Sequence, residues 1–291
     1  MIRSVLTAII LSIPLIGAYA LFSIGIVLIF QTSRILNLAH GAMAMIPAFI
    51  LAAMSGWGLP VLLAAPLAIA TGGLLGVAVE RVFVRRLEDG GPTGQTVGTV
   101  AALGVLVALA ARIWGTTPRT GTKLFPEGFV SVGSSSLQFA EIGLFVVSVG
   151  VAAGLFIALK RTDIGLMMRG TAESKLAARL HGVDPDLVTT GSWAVGGALA
   201  ALSGILLGAV TGLQPYTLSL QVLPGFIAAL LGGLRSLPLA IAGAAFVGIT
   251  QSLVPLMGPI GRAQGSSQLF LAVTTIAVMA LRGSAIAGSE R

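Results

Sequence analysis

The chain has few charged residues. Asp, Glu, Lys and Arg make up 9% of its 291 residues, whereas 56% are hydrophobic and the mean hydropathy is +1.00. An ordinary soluble domain carries about 25% charged residues. A soluble protein of this length would lack the polar side chains needed to cover its water-facing surface, so the composition excludes a soluble domain. A chain solvated by lipid has no such need, and the composition therefore predicts an integral membrane protein.

Acidic residues are the scarcer of the charged types, and they leave a net charge of +7. Such a charge is typical of a nucleic-acid-binding protein when the basic residues form one patch. Here the basic residues lie between apolar runs, as they do in the cytoplasmic loops of membrane proteins. The predicted partner is therefore membrane lipid, and no nucleic acid is expected.

Several kinds of chemical site are missing. The chain has no cysteine, so it has no thiolate metal site. His40 and His181 are too far apart in sequence, and have too few acidic neighbours, to predict a metal site. Residues 115–123 lack the glycine spacing of a phosphate-binding loop. We therefore predict a non-enzymatic chain with no cofactor of its own, so that any ATP and Mg would bind to separate subunits.

Carboxylates are also missing from the interior of the apolar runs, because Glu80 and Glu141 lie at run ends. Proton- and sodium-coupled secondary transporters usually keep intramembrane carboxylates. Their absence argues against an ion-coupled secondary transporter, which stays the alternative function because unwound backbone carbonyls also hold sodium. A channel-like or structural membrane subunit is a further alternative.

Intervals without formal charge locate the membrane spans, since a spanning helix needs about 20 apolar residues. The two longest, 35–79 and 187–234, must each hold two crossings. The predicted fold class is all-α: one transmembrane domain over residues 1–291, built as a polytopic helical bundle of about 8–9 spans with broken or half helices. The predicted spans are 5–30, 42–55, 60–83, 96–113, 140–159, 189–212, 222–235, 238–256 and 265–281. The second and seventh are short enough to be half helices buried against protein.

The distribution of Lys and Arg predicts the orientation. Segments 81–95 and 160–188 are rich in basic residues and are placed in the cytoplasm. The N-terminus then lies outside, the C-terminus lies inside, and residues 114–139 form the main external loop. Glycines spaced four apart, at 72 and 76, at 150 and 154, and at 204, 208 and 212, are interpreted as helix-packing positions.

A polar interruption at residues 34–41 separates two apolar runs. Asn37 and His40 are candidates to cap the helix that begins near Gly41. The segment is either a plain inter-helix loop or a broken helix beside a solute path. We predict that the two side chains pin such a break, so that replacing them would lower stability.

Two further stretches stand out. Residues 171–183 have an amphipathic pattern with apolar positions 176, 177, 180 and 183, and Gly182 and Pro185 are expected to end the helix. This helix either lies in solvent or at the lipid interface, or it docks on a cytoplasmic partner. Residues 224–238 contain Gly232, Gly233 and Arg235 and give the second half of the chain an interrupted segment of its own, which suggests paired broken helices.

These stretches resemble the permease subunits of the branched-chain amino acid (hydrophobic amino acid uptake) ATP-binding-cassette importer family. Residues 17–41 are similar to the start of that family and include its Asn-x-Ala-His-Gly string. Residues 165–182 resemble its cytoplasmic coupling loop. Residues 191–238 resemble the helix that follows, together with its Leu-Gly-Gly-x-x-Ser-x-Pro string.

The resemblance implies a type II ABC importer permease-like fold and a multi-pass protein of the bacterial inner membrane. It implies inward transport of branched-chain amino acids or related small solutes such as urea, amides and small organic acids. The implied partners are a second permease (identical or paralogous), two cytoplasmic ATPase subunits and an extracytoplasmic solute-binding protein. By resemblance, the residues that couple to the ATPase are Arg169, Glu173, Ala177, Ala178 and Gly182. Those near the translocation path or a broken helix are Asn37, His40, Gly41, Gly232 and Gly233.

Overall fold

The structure is a computed structural model that describes residues 2–132, 135–234, 236–263 and 265–289. Arg235 of the third stretch therefore lies outside the described residues. The α-helices are α1 Ile2–Ser33, α2 His40–Gly56, α3 Val61–Val79, α4 Gly91–Trp114, α5 Phe139–Arg161, α6 Asp163–Glu173, α7 Lys175–Leu180, α8 Pro185–Thr211, α9 Pro215–Leu220, α10 Val222–Leu231, α11 Leu237–Leu253, α12 Pro259–Arg262 and α13 Ser266–Ser289. A π-helix at Glu80–Val84 and a 3₁₀ helix at Arg85–Gly90 join α3 to α4.

Within these ranges, five stretches are long and apolar enough to cross a membrane: Val5–Ser33, Val61–Trp114, Phe139–Arg161, Pro185–Thr211 and Leu237–Leu256. The predicted all-α fold class is therefore confirmed. The predicted short segments are also short in the structure, since α2 has 17 residues and α10 has 10. A single hairpin of strands β1 Phe129–Val132 and β2 Ser135–Gln138 lies in the loop between α4 and α5.

The antiparallel packing of α1 against α8 sets the direction of the bundle. The hydroxyl of Ser203 donates to Ala18 O at 3.0 Å, and near the other end Ser192 and Thr32 share a hydrogen bond of 2.5 Å. Helix α11 also runs antiparallel to α1, since the Ser23 hydroxyl lies 3.4 Å from Ala240 O whereas a Cβ added at Gly248 would meet Ile16. About 78% of the apolar window of α1 is buried, against 17% of that of α5. Helix α1 is therefore the centre of the bundle, and α5 presents most of its surface outward.

The two ends of the bundle differ in charge. The ends of α1 and α5 and the start of α11 meet around one cavity, whose lining includes Arg34 and Lys160. A second, smaller cavity is lined by Ser33, Arg85 and Lys175, among other residues. We call this end of the bundle the basic end. At the opposite end, the rings of Trp114 and Phe49 stack with centroids 5.2 Å apart.

The loop between α4 and α5, predicted at 114–139, covers this opposite end. Arg119 and Leu213 exchange two backbone hydrogen bonds of 2.9 and 2.8 Å, which fasten the loop to the end of α8. At the start of α5, the backbone N–H of Gln138 donates to the Glu141 carboxylate at 2.8 Å. This acidic residue therefore helps to cap the start of α5.

The regularly spaced glycines fall into two classes. A Cβ added at Gly76 would lie 2.1 Å from Trp193 O, and one added at Gly204 would lie 2.1 Å from Ala44 O. Packing is confirmed there, because α8 approaches the backbones of α3 and α2 too closely for any side chain. The packing interpretation is wrong for Gly150 and Gly154 within the described part of the chain, since nothing lies within 4 Å of a Cβ added at either. Both belong to the outward-facing α5.

Two glycine substitutions test this difference. Gly76→Ala places a methyl group against the backbone of α8, and such overpacking costs about 1–3 kcal/mol. Gly154→Ala meets open space and improves helix propensity by up to about 1 kcal/mol. We expect the first change to lower the thermal unfolding midpoint of the detergent-purified protein and the second to leave it unchanged or raise it. Equal midpoints for the two variants would contradict the assigned packing.

Candidate functional site

The connection between α1 and α2 turns back into the bundle. Arg34 has a φ of +59°, a left-handed conformation that costs about 1–2 kcal/mol outside glycine. The chain then runs without regular structure to His40, whose ring would lie 2.7 Å from a Cβ added at Gly25. Gly25 stands eight residues before the end of α1, which is about 12 Å along the helix. Helix α2 therefore begins inside the bundle, and the interruption is a broken helix, not a loop at the end of the bundle.

Thr99 of α4 holds this connection in place. Its buried hydroxyl accepts a 3.1 Å hydrogen bond from the Leu38 N–H and lies 3.0 Å from Leu36 O. The Ser33 hydroxyl accepts from the Ile35 N–H at 3.3 Å. Sequence reasoning missed Thr99, because a single hydroxyl residue near the start of an apolar helix carries no distinctive signal. Its partners lie more than 60 residues away along the chain.

The expected capping of α2 by Asn37 or His40 is wrong. The N-cap residue is Ala39, and no side chain caps the helix there. Asn37 is 1% exposed and donates its amide to the Met43 sulfur at 3.3 Å. His40 is completely buried, and its ring meets that of Phe22 edge to face at a centroid distance of 6.1 Å. Among the described residues, no protein group hydrogen-bonds to Asn37 Oδ1 or to either ring nitrogen of His40.

A second break meets the start of α2. Helices α9 and α10 are separated at Gln221, so the apolar segment 215–231 is interrupted. A Cβ added at Gly41 would lie 2.0 Å from Ser219 O, which shows that the first turn of α2 rests on the end of α9. Gly225 of α10 contacts Phe22 of α1, the residue whose ring also meets His40. We call Asn37, His40, Gly41 and the Ser219–Val222 turn the central break.

Gly232 and Gly233 have a different place. They end α10 in a Schellman motif, in which Leu234 N donates to Ala229 O at 3.0 Å and Gly233 N to Leu230 O at 2.8 Å. Gly233 has the positive φ that this motif requires, +73°. The atoms nearest to a Cβ added at Gly232 belong to α11. These two glycines form the turn into α11.

The amphipathic segment at the basic end is two helices, not one. Ser174 interrupts it with extended backbone (φ −153°, ψ 112°) and caps α7 by accepting the Ala177 N–H at 3.1 Å. A serine at an N-cap was the signal that could have located this boundary. Gly182, with a φ of +79°, ends α7 in a second Schellman motif, while Pro185 begins α8.

Helix α7 turns its apolar side chains outward. Leu176 is 70% exposed and Leu180 is 80% exposed, whereas Ala178 is buried against the chain. The pair of leucines is spaced four residues apart, so both lie on one face. A short helix that exposes leucines and buries alanine has the arrangement expected of a surface that another protein or the lipid interface covers.

Of the residues predicted to couple, the structure places Ala177, Ala178 and Gly182 at α7 but Arg169 and Glu173 on α6. These last two line a cavity of about 680 Å³ with Arg34 and Lys160. Arg169 donates to Leu159 O at 2.9 Å, and a Cβ added at Gly165 would lie 1.7 Å from the same carbonyl oxygen. Helix α6 is therefore held tightly against the end of α5, and the predicted set divides into a group at α7 and a group at the cavity.

Glu80 is a buried carboxylate at the basic end that sequence analysis treated only as a run end. It is 3% exposed and lies on the π-helix. One oxygen accepts from Arg85 Nε and the other from the Thr190 hydroxyl, both at 3.2 Å. The carboxylate thus joins the end of α3 to the first turns of α8.

Comparison with known proteins identifies relatives along almost the whole chain. Residues 8–279 match the family model described as branched-chain amino acid transport system / permease component. The permease protein BraD of Pseudomonas aeruginosa, of a high-affinity branched-chain amino acid transport system, is 28% identical over 253 residues, 81% of each chain. LivH of Escherichia coli K12, with the same description, is 28% identical over 81% of this chain and 82% of that protein.

A more distant organism has a similar protein. The probable branched-chain amino acid transport permease protein LivH of Methanocaldococcus jannaschii is 27% identical over 80% of this chain and 76% of its own length. A solved structure, PsaBC from Streptococcus pneumoniae in complex with Fab, covers 94% of this chain and 89% of that chain at 14% identity, with a TM-score of 0.49. A likeness that distant supports no inference.

The role of Thr99 in the central break is testable with an isosteric change. Thr99→Val removes the acceptor of the Leu38 N–H, and an unsatisfied buried group costs about 1–3 kcal/mol. We expect a lower thermal unfolding midpoint in detergent. Thr96→Val is the control, because its hydroxyl donates only to Pro92 O of the same helix, at 2.8 Å, and is exposed. An equal loss in both variants would contradict a special role for Thr99.

Proposed function

The chain belongs to the family of branched-chain amino acid transport system permease components, and from this premise we propose that it is the membrane-spanning subunit of an ATP-driven importer. Its solutes are branched-chain amino acids or related small molecules such as urea, amides or small organic acids. The observation that carries the proposal is the family match over residues 8–279 together with the outward-facing leucines of α7. Transport permease components are non-catalytic, so ATP hydrolysis lies on separate subunits.

The basic end faces the cytoplasm in this proposal, because loops rich in Lys and Arg remain on that side. Two cytoplasmic ATPase subunits, a second permease and an extracytoplasmic solute-binding protein complete the transporter. The buried Glu80 does not favour the ion-coupled alternative. Its two oxygens are bound to Arg85 and Thr190 at the end of the bundle, and a carboxylate in a proton or sodium relay needs access to the transported ion.

Helix α7 docks on an ATPase subunit. Leu176 and Leu180 enter a groove on that partner, and the bonds at either end of α7 transmit its displacement. Asp184 caps α8 by accepting the Asp186 N–H at 2.9 Å, and Arg179 pairs with Asp186 at 3.4 Å. Beyond that joint, α8 is bonded to the end of α3 through Glu80 and to α1 through Thr32. Closure of the ATPases would thus move α8 together with its neighbours as a rigid unit.

Changing the exposed leucines tests this docking. Burial of one leucine in an interface contributes about 1.5–3 kcal/mol, so Leu180→Ser should weaken association with the ATPase subunits by about 10- to 150-fold. Co-purification and ATP-dependent uptake in vesicles measure the effect. Leu187→Ser is the control, since Leu187 is as exposed as Leu176, 70%, but lies on α8. Normal association and uptake in the Leu180 variant would refute the docking of α7.

The central break lies along the solute path. Asn37 and His40 supply polar atoms that no described protein group binds, at a point where two helices are interrupted. At membrane depth, interrupted helices and their unpaired polar groups are tolerated where protein buries them or where they line a water-filled cavity or solute path. In this reading the conformation described is closed around the break, and movement of α8 opens it to solute.

Sequence analysis predicted that replacing Asn37 or His40 would lower stability. The structure leads to the opposite expectation, because Asn37 Oδ1 and the His40 ring nitrogens have no protein partner among the described residues. Removing these atoms leaves no new unsatisfied group. His40→Ala therefore loses no hydrogen bond to the protein, and Asn37→Leu loses only the 3.3 Å contact between its amide and the weakly accepting sulfur of Met43. We expect Asn37→Leu to keep its thermal unfolding midpoint in detergent within about 1 °C while its uptake rate falls several-fold. A large fall in the midpoint with proportionate loss of uptake would instead assign Asn37 a structural role alone.

A further inference from the structure

The cavity at the basic end is not used by the docking helix or by the central break. It has a volume of about 680 Å³ and lies where the ends of α1 and α5 meet α6 and the start of α11. Helix α7 contributes no residue to its lining. The cavity therefore requires an explanation of its own.

Three cations line the cavity without an anionic partner. Arg34, Lys160 and Arg169 come from three different elements. Within the ranges that the structure describes, no carboxylate lies within 4.0 Å of any of the three charged groups, although Glu173 is part of the same lining. Like charges gathered in one cavity repel each other, so an anion bound among them is favoured.

Two of the cations are already positioned. Arg169 Nη1 donates to Leu159 O at 2.9 Å, and Arg34 Nη2 lies 3.5 Å from Ala172 O. A guanidinium has five N–H donors, so each arginine keeps most of its donors free for an anion. The planar fork of such donors matches the oxygens of a phosphate group.

Besides Glu173, Gln31 and Ser236, the lining has an apolar side that reaches the outer surface of the bundle. Phe156 is 37% exposed and belongs to α5, whose apolar window is only 17% buried. Leu159, Met168 and Leu237 continue this wall inward. The cations of the cavity thus lie at the level where the spanning helices end, and its apolar side chains lie deeper in the membrane. A cationic region next to an apolar one matches an amphipathic anion that has a phosphate head and an acyl chain.

We propose that this cavity binds an anionic phospholipid, with its phosphate among Arg34, Lys160 and Arg169 and an acyl chain along Phe156. The proposal rests on the proposed orientation, which places the basic end in the anionic cytoplasmic leaflet. Basic pockets between spanning helices on that side bind phospholipid head groups. A lipid here would join α1 and α5 to α6, the helix that leads directly into α7, so lipid composition would set how firmly the docking helix is held.

The test uses the whole transporter, purified in detergent with its ATPase subunits. Its thermal unfolding midpoint is titrated with phosphatidylglycerol, with phosphatidylcholine and with inorganic phosphate. We expect a saturable rise with phosphatidylglycerol alone. Lys160→Gln should weaken the apparent affinity at least about tenfold. This variant is chosen because Lys160 makes no hydrogen bond within the described residues, and its one ring contact is with Phe156, at 5.7 Å from the ring centroid. Arg169→Gln should act in the same direction.

Arg112→Gln is the matched control, because Arg112 is an exposed cation at the opposite end of the bundle. An equal rise with inorganic phosphate would identify a site for a soluble anion and overturn the lipid proposal. An unchanged phosphatidylglycerol response in the Lys160 and Arg169 variants would also overturn it. So would a response that appears only after the ATPase subunits are removed, because an acidic segment of the ATPase would then occupy the cavity. None of these outcomes depends on whether Leu180 docks, so the two proposals fail separately.

Discussion

Backbone hydrogen bonding without water is the constraint on which this structure depends. A lipid-solvated chain must satisfy its N–H and C=O groups internally, and a helix does so by itself. The segment between α1 and α2 departs from helical structure inside the bundle and therefore needs partners from elsewhere. Thr99 supplies them for Leu36 and Leu38, and Ser33 for Ile35. A broken helix is possible here because α4 brings a hydroxyl group to the gap.

Close contact between helix backbones follows from the same setting. Helices in lipid gain little from burying apolar side chains, and they associate instead where small residues let backbones approach. Gly76 and Gly204 bring α3 and α2 against α8, and hydrogen bonds from Thr190 and Ser192 tie α8 to α3 and α1. Helices α1, α3 and α8 are consequently joined as one unit by backbone contacts and hydrogen bonds.

The basic end combines two surfaces with different chemistry. The outward leucines of α7 suit a protein partner, whereas the cations and apolar wall of the neighbouring cavity suit a lipid. Helix α6 belongs to the cavity, and Ser174 separates it from α7. A continuous helix over 171–183 would have merged the two surfaces, so the break at Ser174 allows one to be held while the other moves.

The sequence by itself determined the environment, the fold class, the approximate position of the spans and the first interrupted segment, whereas the second break lies at Gln221 and not in the predicted stretch 224–238. These properties follow from local composition, since charge-free length decides what can cross lipid and Gly, Pro and polar residues decide where a helix stops. The surroundings of the residues assigned to coupling and to the central break were only partly predictable. Ala177 and Ala178 lie on α7 and Gly182 follows it, whereas Arg169 and Glu173 lie on α6 and line a cavity.

Only the tertiary structure decided which polar groups have partners. Asn37 and His40 looked like caps because their residue types cap helices, yet the backbone beside them is bound by Thr99, 61 residues from Leu38. Gly76 and Gly154 have the same local spacing, but only the former faces another backbone. Local sequence fixes what a residue is able to bond, whereas the packing of distant helices decides which groups come within the 3 Å or so that a hydrogen bond requires.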